Sequence, residues 1–73
     1  MSIIMALAAR IEAVLIEDFP GVKVAVKNGM AFASVKGSLR QMEKQVGQAR
    51  SIVRNIEGVK GVQVNFTPFV VAD

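Results

Sequence analysis

Val22-Lys23-Val24-Ala25-Val26-Lys27-Asn28-Gly29-Met30-Ala31-Phe32-Ala33-Ser34-Val35-Lys36-Gly37 is the stretch that decides the fold. Val22, Val24 and Val26 alternate with Lys23, Ala25 and Lys27, the period of a strand with one buried face. Asn28-Gly29 is the dipeptide preferred in a two-residue type I′ turn, whose two central positions both need positive φ. The spacing therefore predicts strands over 22–27 and 30–36, with Lys27 opposite Met30. In that register Val22, Val24 and Val26 meet Val35, Ala33 and Ala31. Met30 and Phe32 fall on the other face, among Lys23, Ala25 and Lys27.

On the N-terminal side, Ile4, Leu7, Ala8, Ile11, Val14 and Leu15 follow a 3-4 spacing that predicts a helix over 2–19. Phe19-Pro20-Gly21 stops it, because proline cannot continue a helix and glycine turns the chain. On the C-terminal side, Gly37 ends the second strand. Ser38-Leu39-Arg40-Gln41 has the form of a capping box opening a second helix. Leu39, Met42, Val46, Ala49, Val53 and Ile56 place that helix at 39–57, with Ile52 widening its stripe and Gly58 as its left-handed cap. Gly47 sits inside it, either for close packing against the alanine-rich first helix or as a tolerated exposed glycine. Val62, Val64 and Phe66 against Gln63, Asn65 and Thr67 predict a third strand over 62–67. A tail over 68–73 follows, in which Phe69-Val70-Val71 either extends the strand or folds back. The order α-β-β-α-β is that of an α+β domain, two helices covering one face of a three-stranded sheet.

The chain has 73 residues, enough for one small domain with a thin stability margin, and is 52% hydrophobic and 21% charged. It contains no Cys, His, Trp or Tyr, so it has no disulfide, no thiolate or imidazole metal ligand and no histidine base. Ser2, Ser34, Ser38, Ser51 and Thr67 lack a histidine to activate them. Of the carboxylates Glu12, Glu17, Asp18, Glu43, Glu57 and Asp73, only Glu17 and Asp18 are adjacent, at a helix end where they read as solvated, and no glycine-rich nucleotide loop is present. These absences argue against an enzyme and predict no cofactor and no metal. The longest apolar run, Ile3 to Ala9, is too short to span a membrane. No basic segment precedes it, so no signal peptide is expected and a cytoplasmic location follows.

The hairpin at Asn28-Gly29, the passage Val35-Lys36-Gly37-Ser38-Leu39 and the run Ile56-Glu57-Gly58-Val59-Lys60-Gly61-Val62-Gln63-Val64-Asn65 together resemble the BON domain, a small bacterial module. The resemblance covers about residues 8–66. Glu57 stands where that family often has proline, and Ala31 and Ala33 are smaller than usual. What the resemblance implies is a non-catalytic binding module that engages phospholipid or membrane surfaces, found in envelope, channel and secretion-related proteins. Related folds build rings in secretion systems. Export is common among envelope members of the family, and the N-terminus here offers no signal for it. A lesser resemblance joins Arg10-Ile11-Glu12 through Phe19-Pro20-Gly21-Val22-Lys23 to the helix-to-strand passage of heavy-metal-associated domains. Their Cys-x-x-Cys loop has no counterpart here.

Two surface signals remain. The first is surplus apolar surface. Ile3, Met5, Ala9, Ala13 and Ile16 lie off the core stripe of helix 1, and Met30, Phe32, Phe69 and Val70 lie outside the core pattern. A helix apolar nearly all round is buried on more than one side, so a homo-oligomer is expected, with Ile3, Met5, Ile16, Met30, Phe32, Phe69 and Val70 as interface candidates; the alternatives are a tail that covers helix 1 within one monomer and a helix 1 that enters a bilayer surface. The second is a mild basic excess, net +3. Arg40, Lys44, Arg50 and Arg54 on helix 2, and Lys23, Lys27 and Lys36 on the open sheet face, are the candidates for an anionic partner. That partner is a phospholipid surface or, as the alternative, nucleic acid read by the open sheet face and helix 2. A lone Phe32 makes a poor stacking platform.

Overall fold

The computed structural model describes residues 6–69. In chain order it contains α1 (Leu7–Leu15), β1 (Lys23–Lys27), β2 (Met30–Gly37), a single 3-10 turn (Leu39–Gln41), α2 (Met42–Arg54) and β3 (Gly61–Pro68). The sheet order is β1-β2-β3, with β1 antiparallel and β3 parallel to the central β2. This is the expected α+β arrangement. Both helices lie on one face, α1 mainly over β1 and α2 mainly over β3, and they touch each other.

The hairpin forms in the expected register: Lys27 opposes Met30, Val26 opposes Ala31 and Val24 opposes Ala33. Asn28 has φ 53° and Gly29 φ 81°, the two positive values that a type I′ turn requires. Ala31, Ala33 and Val35 point to the helices and are fully buried. With Ile11, Leu15, Phe19, Val22, Ala49 and Val53 they make the core. Val62, Val64 and Phe66 pair with these β2 residues in turn and cover the core from its open edge.

Helix 1 is shorter than the period suggested. It ends at Leu15, and residues 16–18 form a turn in which the amides of Asp18 and Phe19 both donate to the Leu15 carbonyl, at 3.1 and 2.8 Å. Pro20 explains this: in a continuing helix its ring would meet the carbonyl of Ile16, four residues back. Residues 2–5 of the expected helix lie outside the described residues. Val14, placed in the core stripe by sequence, is 48% exposed.

Helix 2 is also shorter. Ser38 has the extended backbone of an N-cap, but neither it nor Gln41 makes a side-chain capping bond. Gln41, the last residue of the 3-10 turn, leaves the helical region at φ −105°, ψ 12° and breaks the run into α2. The expected capping box is therefore absent, and Leu39 and Met42 turn outward, 65% and 39% exposed, where the sequence placed them inside. The helix stops at Arg54 rather than at residue 57. Gly58 does adopt positive φ, 98°, but in a separate turn beyond the helix end. Gly47 is exposed with no atom within 4 Å of a notional β-carbon, so it serves no close packing.

The strands differ by one residue at some ends: β1 begins at Lys23, β2 runs to Gly37, and β3 spans Gly61–Pro68. Pro68 is tolerated because β3 is an edge strand and proline closes it. Of the tail, Phe69 continues the strand pairing by donating its amide to the Gly37 carbonyl at 2.9 Å. Residues 70–73 lie outside the described residues.

Candidate functional site

The topology gives the domain two distinguishable ends. β1 begins, and β2 and β3 finish, at what we call the Gly37 end. The Asn28-Gly29 turn, Gly58 and the start of β3 lie at the hairpin end. α1 starts near the hairpin end, where Leu7 approaches Gly58, and finishes toward the Gly37 end, where it feeds β1.

Exposed apolar side chains collect at the Gly37 end. Phe69 is 62% exposed beside the Gly37 carbonyl it bonds. Leu39 follows Gly37 by two residues, and Met42 opens α2. Ile16, 47% exposed, caps α1 on the same side of the molecule, with Val14 close by in sequence. Of the interface candidates, Ile16 and Phe69 therefore lie at the same end of the sheet, Ile16 toward the β1 edge and Phe69 at the β3 edge. Met30 is exposed but sits at the opposite end, on the open sheet face, where its side chain covers Gly61. Phe32 is half-buried on that face, flanked by Ala25 and Gln63 in the register. Ile3, Met5 and Val70 lie outside the described residues. Leu39, Met42 and Val14 were missed because their helical spacing reads as core. Only the break at Gln41 and the early end of α1 expose them.

The basic candidates divide into separate groups. Lys23, Lys27 and Lys36 lie on the open sheet face, with Lys23 opposite Ser34 and Lys36 opposite Thr67. On α2, Arg50 and Arg54 are one turn apart on nearly the same side, whereas Lys44 stands about 80° round from Arg54. Arg40 lies in the preceding 3-10 turn. Arg50 and Arg54 join a residue the sequence did not single out, Lys60. With Val59, Gly61 and Val62 they line an open hollow of about 290 Å³ between the last turns of α2 and the start of β3. No carboxylate lines it. Lys60 is fixed there by its amide, which donates to the Gly29 carbonyl at 2.8 Å.

Among the described residues no polar or charged residue is buried, no three acidic side chains converge, and no helix is long and apolar enough to cross a membrane. One buried polar atom lacks a partner: Gln45 Oε1, which lies against Gly37.

No family model matches the chain, and no curated protein sequence does. Among solved structures it is similar to CdsD, described as a structural protein of the type III secretion system of Chlamydia trachomatis, at 20% identity and a TM-score of 0.68. The match takes in 86% of this chain and 31% of that one, so this chain corresponds to under a third of its neighbour. At that identity the likeness establishes a shared α+β fold.

Proposed function

We propose that the chain is a non-catalytic assembly module of BON type that associates with further copies of itself. The observation that carries this is the apolar Gly37 end, where Ile16, Leu39, Met42 and Phe69 stand between 39% and 65% exposed. Monomeric domains rarely leave such a patch in water, and patches of this kind mark contact surfaces. The fold shared with a secretion-system structural protein supports the same reading.

A second reading is contact with an anionic phospholipid surface. It draws on the exposed positions of Arg40, Lys44, Arg50 and Arg54 along helix 2 and of Lys23, Lys27 and Lys36 on the open sheet face. Nucleic acid is less favoured. Phe32, the one aromatic residue on that face among the described strands, is half-buried and offers little ring to stack on.

Solution mass by sedimentation velocity over a concentration series tests the proposal, with phosphatidylglycerol vesicles pelleted beside it. Self-association gives a mass that rises above the 7.8 kDa of one chain. A monomer at every concentration overturns it. Vesicle pelleting by such a monomer, fading as salt rises, would transfer the function to the lipid reading.

A further inference from the structure

The charge of this domain is unevenly divided. Around α1 and the turn that ends it are Glu12, Glu17 and Asp18 against one arginine, Arg10. The segment from α2 to β3 carries Lys44, Arg50, Arg54 and Lys60 against Glu43 and Glu57, and three of these cations line the hollow. The acidic arrangement does not help its own helix, and the basic one is mixed, since Arg54 in the last turn of α2 suits the helix dipole. Glu17 and Asp18 follow the C-terminus of α1, where the helix dipole disfavours negative charge. Arg50 and Arg54 are like charges at i and i+4 on α2, a repulsive spacing. Each patch also has an apolar component. Val14 and Ile16 are about half exposed beside the acidic pair, and Val59 and Val62 wall the basic hollow.

We propose that the acidic end of α1 from one copy docks into the Arg50–Arg54–Lys60 hollow of the next. This rests on the self-association proposed above and names its surfaces. The occupant is argued from complementarity. Two exposed carboxylates beside two exposed aliphatic side chains meet a hollow lined by three cations and two valines, with no competing carboxylate. The two patches sit at opposite ends and over opposite edges of the sheet, the acidic one toward the start of β1 and the basic one at the start of β3. Where a copy meets each neighbour through only one of its two patches, the contact is heterologous. Each copy offers both surfaces, and repetition yields a ring if the rotation closes and a filament if it does not.

Charge exchange tests this. One variant carries Glu17→Lys with Asp18→Lys; the other carries Arg50→Glu with Arg54→Glu. All four positions are exposed, and circular dichroism checks that both variants keep the fold. Sedimentation velocity is expected to show at least a tenfold loss of association for each variant alone. An equimolar mixture is expected to recover the wild-type mass, because reversed patches on one chain then meet reversed patches on the other. Wild-type association in either variant alone, or a mixture that stays dissociated, overturns the docking mode while leaving self-association through the Gly37 end standing. A wild-type chain that is itself monomeric removes both. If that monomer pellets with phosphatidylglycerol vesicles and the Arg50→Glu, Arg54→Glu variant does not, the hollow takes a lipid phosphate and the docking mode is wrong.

Discussion

The amide of Lys60 donates to the carbonyl of Gly29, and the Lys60 stem lies so close over that glycine that a β-carbon there would come within 2.8 Å of its Cδ. The hairpin turn thus fixes the third cation of the basic hollow. Gly29 has φ 81°, a conformation that strains any residue with a β-carbon by roughly 1–2 kcal/mol. Gly29→Ala is expected to lower stability by about that much and to displace Lys60. Urea unfolding reads the first effect. An unchanged midpoint would mean that the turn relaxes freely and does not hold Lys60.

Gly47 behaves in the opposite way. It is helical, exposed and has nothing within 4 Å of a notional β-carbon, so alanine there meets no obstacle and restricts the unfolded chain. Gly47→Ala should raise stability by about 0.5–1 kcal/mol, visible as a later thermal midpoint. Destabilisation would show that the position faces a contact between copies.

Leu15 and Val14 are neighbours with opposite fates, one fully buried and one 48% exposed. Leu15→Ala is expected to cost about 2–5 kcal/mol through lost burial and a cavity. Val14→Ser should leave the unfolding midpoint of dilute protein nearly unchanged and weaken association. Comparable losses from both changes would place Val14 inside the fold.

Leu39→Ser combined with Phe69→Ser removes two of the most exposed apolar side chains at the Gly37 end. Far-ultraviolet circular dichroism should be unaltered, and the mass at high concentration should fall toward that of one chain. Retention of the wild-type mass would show that this end takes no part in assembly.

Lys27→Glu with Lys36→Glu reverses charge on the open sheet face, the side of the sheet that the helices do not cover. Assembly is expected to persist, while any salt-sensitive pelleting with anionic vesicles that depends on this face declines. A dissociated double variant would bring the sheet face into the interface between copies.

Much of the fold was legible in the sequence because its signals are local. The Asn28-Gly29 turn set the register of β1 on β2, and the alternation of Val62, Val64 and Phe66 named the inward face of β3. The helix ends were not legible, because their limits are imposed at a distance. Pro20 acts four residues back on α1, and Gln41 leaves the helical region although Ser38 and Gln41 carry the letters of a capping box. Those two breaks decide which apolar residues reach water, so the apolar end was only half readable: Ile16 and Phe69 were visible, whereas Val14, Leu39 and Met42 were taken into the core. The hollow was missed for another reason. Lys60 is separated from Arg50 and Arg54 by a turn, and no periodicity links a helix face to the first residues of a strand.

The pairing of β3 beside β2 also governs the order in which the molecule can be made. The β1–β2 hairpin closes through neighbours in sequence, but Met30 meets Gly61 only after all of α2 has been placed between them. Such non-local pairing carries the larger loop-closure penalty and forms late. Until it forms, one side of β2 is an unpaired strand edge next to Ala31, Ala33 and Val35, three side chains that the finished core excludes from water. A nascent chain released at Lys60, or one clipped there by a protease, would therefore be a template for edge-to-edge aggregation. Synthesis of the last strand is the step that takes this edge of β2 out of reach of other strands.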